Sequence, residues 1–123
     1  MSAENLKESL ERVVKRLVEE LQPEQIILFG SYAYGQPTEG SDLDIMVIVS
    51  DSTDPPHHRM RKAYRCVGAI GVSKDLLVLT RKEFEKQARV ITSLARRVKE
   101  TGKVLYERRE AHRGPQLADQ ESA

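Results

Sequence analysis

Gly30-Ser31-Tyr32-Ala33-Tyr34-Gly35-Gln36-Pro37-Thr38-Glu39-Gly40-Ser41-Asp42-Leu43-Asp44 joins two apolar runs, Gln25–Phe29 before it and Leu43–Val49 across its end. Each run has the length and aliphatic content of a buried strand. The stretch between them is rich in Gly, Ser and Pro, so it reads as a connection, with one helical turn expected at Ser31–Tyr34. Gly30 removes a side chain where the backbone leaves the sheet, which lets a phosphate approach the amides that follow. A helical turn opening at Ser31 would aim free N–H groups and a hydroxyl at such an anion. Asp42 and Asp44 stand two apart at the mouth of the second strand, and residues at that spacing project the same way. Two carboxylates projecting together repel unless a cation lies between them, and Mg²⁺ takes such oxygen ligands.

Working outward, Leu6, Leu10, Val13, Val14, Leu17, Val18 and Leu21 recur at helical spacing, and Pro23 ends that helix. Asp51–Pro56 is a loop. Met60, Ala63, Tyr64 and Val67 predict a second helix over His57–Ile70. Asp75 heads a third apolar strand, Asp75–Leu79, and is placed to join the first two aspartates if the strands are neighbours. Thr80-Arg81-Lys82-Glu83 has the spacing of a capping box. The helix it opens is expected to reach Thr101, with a break near Thr92-Ser93, and to be capped by Gly102. Lys103–Tyr106 reads as a short edge strand. Helices alternating with buried strands predict an α/β (α+β) domain, a small mixed sheet of three to four strands with helices packed on it. The domain is expected to occupy 1–106, with 107–123 a polar, disordered tail.

Asp51 and Asp54 also follow the second strand and compete for the role of third carboxylate, but they lie in a Pro-flanked loop, so Asp75 is preferred. Other phosphate and metal motifs fail on position. No Gly-Lys-Ser/Thr run ends a P-loop, and acidic residues do not continue at alternate positions as a calcium loop requires. An Asp-x-Asp phosphatase carries its pair after the strand, whereas here the pair enters it. His57, His58, Arg59, Arg61 and Lys62 read as a solvated helix start, and Arg96 and Arg97 as surface charges. Cys66 reads as a small buried residue rather than a nucleophile. Tyr32 and Tyr34 fit stacking on a base and core packing equally well.

The chain has 123 residues and a net charge of +1, which gives no general pull toward nucleic acid. Its single cysteine rules out an internal disulfide framework. No apolar run approaches the roughly 20 residues that span a bilayer, and the first residues lack the basic start and apolar core of a signal peptide. A cytoplasmic protein is expected.

Gly30-Ser31, Gly35 and Ser41-Asp42-Leu43-Asp44, in that order, resemble the signature of the DNA polymerase β-like nucleotidyltransferase superfamily. The short length is similar to the minimal nucleotidyltransferases that act as antitoxins to HEPN-domain toxins. The resemblance covers residues 25–106 and implies a polymerase β palm-like fold. It implies that Asp42, Asp44 and Asp75 bind two Mg²⁺ ions, with Mn²⁺ as a substitute, and that Gly30 and Ser31, together with Ser41, hold a nucleoside triphosphate. It further implies ATP as donor and a tyrosine on a HEPN toxin as acceptor. Helices and strands take up nearly all of 2–106, so the acceptor is expected on another molecule. The first helix and the basic segment 96–113 are the surfaces expected to meet it, and a homo-oligomer remains compatible with the sequence. Neutralisation by binding alone and transfer to a small molecule are the competing readings.

Overall fold

The two apolar runs flanking the glycine-rich connection become the central pair of a four-stranded sheet. The computed structural model of the chain describes residues 3–35, 41–70 and 73–109. In chain order its elements are α1 (Ala3–Leu21), β1 (Gln25–Phe29), β2 (Leu43–Val49), α2 (Pro56–Val67), β3 (Lys74–Thr80), α3 (Arg81–Ala88), α4 (Leu94–Thr101) and β4 (Lys103–Glu107). The strands lie in the order β3-β2-β1-β4. β1 runs antiparallel to both β2 and β4. β2 and β3 are parallel, from Leu43 opposite Lys74 to Val49 opposite Thr80. A parallel pair needs a crossover connection, and α2 supplies it. The sheet is thus mixed, as the sequence predicts.

Both faces of the central strands are covered, which is why their sequences are continuous apolar runs rather than alternating ones. On one face α1 and α2 pack Val13, Leu17, Ala63 and Val67 against Ile26, Leu43, Ile45, Val47, Leu76 and Val78. On the other, α3 and α4 pack Phe84, Ala88, Ala95 and Val98 against Ile27, Phe29, Met46 and Ile48. Leu17 is fully buried, and cutting such a side chain back to alanine costs about 2–5 kcal/mol.

The structure departs from the sequence reading at the end of α2 and at the end of β4. α2 stops at Val67 rather than Ile70, because Gly68 turns to a positive φ and its N–H donates to the Tyr64 carbonyl. The final helical segment breaks near Thr92-Ser93, as expected, into α3 and α4. The Ser93 hydroxyl accepts from the Arg96 N–H at 3.0 Å and starts the second. β4 continues through Glu107, and the Arg108 N–H donates to the Glu24 carbonyl at 2.8 Å. The first residues assigned to a tail therefore lie on the domain, and the tail from 110 onward lies outside the described residues. No helix among the described residues is long and apolar enough to cross a membrane.

Candidate active site

The register of the parallel pair builds the site. Asp44 on β2 stands directly opposite Asp75 on β3, and Phe29, the last residue of β1, stands opposite Asp44 from the other side. Because side chains alternate along a strand, Asp42 and Asp44 share the face of Met46 and Ile48, the face that α3 and α4 cover. All three aspartates gather where β2 and β3 begin and β1 ends. Asp51 and Asp54 lie past the opposite end of β2, so the structure brings Asp75, and not either of them, beside Asp44.

Asp44 is half-buried, whereas Asp42 and Asp75 are exposed. Burial pushes the Asp44 carboxyl above the usual carboxylate range, and the negative charges of Asp75 and Asp42 push it further in the same direction. Among the described residues no lysine or arginine forms an ion pair with any of the three. The three carboxylates do not by themselves close tightly enough to enclose an ion. Their chemistry nevertheless fits a hard divalent cation. They offer only carboxylate oxygens, their charges oppose one another, and Mg²⁺ keeps several sites for water or phosphate oxygens.

Gly30 has φ +79°, and a side chain there would run into the Asp44 carboxylate. Its glycine is therefore required by the aspartate as much as by any phosphate, a reason that sequence reasoning did not find. The carbonyl of Gly30 accepts from the N–H groups of Ala33 and Tyr34 at 3.0 and 3.1 Å. This is the helical turn expected after the strand, and Ser31 is its first residue. Tyr32 packs against the α1–α2 core. Tyr34 is 47% exposed, and its hydroxyl lies 3.2 Å from that of Thr101 at the end of α4. Ser41 is half-buried just before β2. Residues 36–40, which complete the motif, lie outside the described residues.

Two residues carry more than the sequence reading gave them. Tyr64, read only as part of the helical spacing of α2, reaches the site: its hydroxyl donates to Asp75 Oδ1 at 3.2 Å and accepts from the Leu76 N–H at 2.9 Å. No local signal pointed to it, since Tyr64 is 37% exposed and its partners lie 11 and 12 positions further along the chain. Arg59, read as a solvated helix start, is 5% exposed. It donates to both Glu83 carboxylate oxygens at 2.8 and 2.9 Å and to the Val78 carbonyl at 3.3 Å. Its neighbours match the sequence reading better: His57 and His58 are exposed, with edge-on rings 4.4 Å apart. Two concave surfaces share no residue with the carboxylate cluster. One is basic, with Arg61, Lys62 and Arg65 of α2, and the other is apolar, with Leu6, Leu10 and Val14 of α1 beside Leu105.

A family model described as "Nucleotidyltransferase domain" matches residues 10–110. Over 102 residues the chain is 32% identical to the Methanocaldococcus jannaschii protein named "Putative protein adenylyltransferase MJ0604", covering 78% of this chain and 97% of that one. It is 44% identical over 50 residues to "Putative protein adenylyltransferase MJ1379" of the same organism, covering 41% of this chain and half of that protein. The fold is also that of a solved "putative nucleotidyltransferase" from Sulfolobus solfataricus, 24% identical over 87% of this chain and 91% of that one, with a TM-score of 0.56. A chain of the toxin–antitoxin MntA-HpeT shares it too, 22% identical over 81% of this chain and 74% of that one, with a TM-score of 0.57. The residues matched by the family model run from α1 through β4 and hold the whole carboxylate cluster, so the chain belongs to the nucleotidyltransferase domain family.

Proposed function

We propose that this domain transfers AMP from ATP to a hydroxyl on another protein, a tyrosine of a HEPN-domain toxin, and so acts as an antitoxin. The observation that carries the reading is the face-to-face placement of Asp44 and Asp75, with Asp42 two residues upstream and Gly30 packed against Asp44. Support for protein as acceptor comes from the names of the two Methanocaldococcus jannaschii relatives. Support for an antitoxin role comes from the likeness in fold to a toxin–antitoxin chain, and one such solved complex contains AMP-PNP.

In this reading Asp42, Asp44 and Asp75 hold two divalent ions, Mg²⁺ or Mn²⁺. When bound, such a pair neutralises triphosphate charge and favours in-line displacement. Ser31 and the amides after Gly30 hold the triphosphate, with Ser41 beside it, and the missing Gly30 side chain keeps Asp44 close. The acceptor oxygen attacks the α-phosphorus, a new P–O bond forms, and the bond to the bridging oxygen of the β-phosphate breaks, releasing pyrophosphate. Asp75, the most exposed of the facing pair, takes the hydroxyl proton. Positioning and charge neutralisation supply most of the acceleration.

Intact-mass spectrometry tests the proposal. Incubated with ATP, Mg²⁺ and a HEPN-domain protein encoded beside it, the domain should add one or more AMP units to that protein, each on a tyrosine. A neighbour that binds tightly yet never gains mass would favour neutralisation by binding alone. Efficient transfer to a small hydroxylated compound by the isolated chain would remove the protein acceptor.

A further inference from the structure

We infer that Tyr64 is a positioning residue that fixes Asp75 in the geometry needed to share a cation with Asp44, an inference that rests on the assignment of Asp75 as a metal ligand. Asp75 is exposed on an edge strand and faces the like charge of Asp44. Without a tether, repulsion and side-chain freedom would both carry its carboxylate toward solvent. The Tyr64 hydroxyl supplies that tether from α2, donating to Asp75 Oδ1 at 3.2 Å.

Three features make the tether stiff. The hydroxyl accepts from the Leu76 N–H at 2.9 Å, so its own proton is directed at Asp75. An O–H that accepts a hydrogen bond is also the stronger donor. The ring, 37% exposed, gains a further contact from the Lys74 ammonium, 5.9 Å from its centroid. Finally, Leu76 is the residue after Asp75, so one phenolic oxygen grips both the backbone and the side chain of adjacent residues. Held in this way, the Asp75 carboxylate would be positioned to share a cation with Asp44. Partners that orient a ligating carboxylate in this way typically change metal affinity 10–100-fold when removed.

A purely structural reading exists: Tyr64 could serve only to satisfy the Leu76 N–H on the sheet edge. The two roles separate in a metal-binding measurement. Mn²⁺ binding would be followed by calorimetry in the presence of AMP-PNP for wild type, Y64F, D75N and the double variant, with thermal unfolding recorded for each. The tether requires Y64F to weaken Mn²⁺ binding about 10-fold. It also requires Y64F to add little in the D75N background, because the hydroxyl acts through that carboxylate. Transfer by Y64F should recover at raised Mn²⁺ concentration. Because ring packing is retained in Y64F, it should stay folded, and its unfolding curve checks this. Weakened binding by D75N with unchanged binding by Y64F would overturn the tether while leaving Asp75 as a ligand. Unchanged binding by D75N itself would overturn both.

Discussion

The two ends of the sheet treat charge in opposite ways. At the end where β2 and β3 begin, Asp42, Asp44 and Asp75 face one another, and no basic side chain among the described residues pairs with them. At the other end, among the described residues, the acidic groups that approach the core, Glu24, Glu83 and Glu85, each have a cation. Glu83 is gripped by Arg59 at two points. Glu24 meets Arg81 at 2.8 Å and Arg108 at 3.9 Å, and Arg81 also donates to Gln25 while Arg108 donates to Ser50. The acidities follow. Hydrogen bonds from Arg59, with the Thr80 backbone helping, hold Glu83 down to about 2. Burial pushes Glu24 up, but hydrogen bonds from Arg81 and Ser50 and the charges of both arginines outweigh it, and the result is lowered. Asp44, with burial and two like charges, is raised. Buried charges kept for structure are paired, because an unpaired one costs several kcal/mol. Asp44, half-buried beside two like charges, has no such partner among the described residues, and the proposed function gives that place to a cation supplied from outside.

Removing charge should have its largest effect at the opposed end, and on chemistry rather than on folding. Asp44→Asn keeps the shape and loses one charge, so nucleotide transfer should fall at least about 10³-fold, the scale of several kcal/mol of transition-state stabilisation lost with a metal site. Transfer followed with labelled ATP checks this; activity surviving in both D44N and D42N would remove the cluster from the reaction.

At the paired end the same kind of change should strike stability instead. Arg59→Ala strips the partner from Glu83 and leaves the Val78 carbonyl without its donor. We expect a loss of about 2–4 kcal/mol, below the upper range for broken buried pairs because Glu83 is 37% exposed. Denaturant unfolding measures it, and transfer per folded molecule should stay within about two-fold of wild type, since a loss near 1.4 kcal/mol would already be tenfold. A large loss of transfer with unchanged stability would erase the distinction between the two ends.

A smaller effect lies in acid. Glu83 in the folded chain sits near 2, below its ordinary 4.5. Its stabilisation is therefore complete above pH 4.5 and disappears as pH falls toward 2. Allowing for solvent screening at a carboxylate this exposed, the loss is about 1–2 kcal/mol. Glu83→Gln should be less stable than wild type near neutrality, and the gap between the two should close across that window. A gap that stays constant down to pH 2 would mean that the Arg59–Glu83 contact adds no charge-dependent stability.

Much of this contrast was legible in the sequence, though unevenly. β1 and β2 coincide with their apolar runs because strands covered on both faces leave no ambiguity of period. Asp42 and Asp44 were singled out by their spacing and by the motif that they complete. Choosing Asp75 over Asp51 and Asp54 took the reading that a carboxylate heading an apolar strand fits the pattern, and the parallel register then put it opposite Asp44. Arg59 was misread because four basic or imidazole neighbours make a helix start look solvated, whereas its burial depends on Glu83, 24 positions away. Gly30 was read for phosphate approach, and its contact with the Asp44 carboxylate appears only when β1 and β2 are laid side by side. Pairing across strands is long-range information, and no local pattern encodes it.

The central claim is that the opposed carboxylates exist to receive a cation together with a nucleotide. The most direct test is thermal unfolding of wild type and D44N, each with and without Mg²⁺ and ATP. Without ligand, D44N should melt at the same temperature or slightly higher, since it relieves repulsion. With ligand at about 100 times its Kd, wild type should gain about 2.7 kcal/mol, a rise on the order of 10 °C for a domain of this size, while D44N should gain little. Equal rises in the two proteins, or none in wild type with Mg²⁺ and ATP both present, would contradict the account.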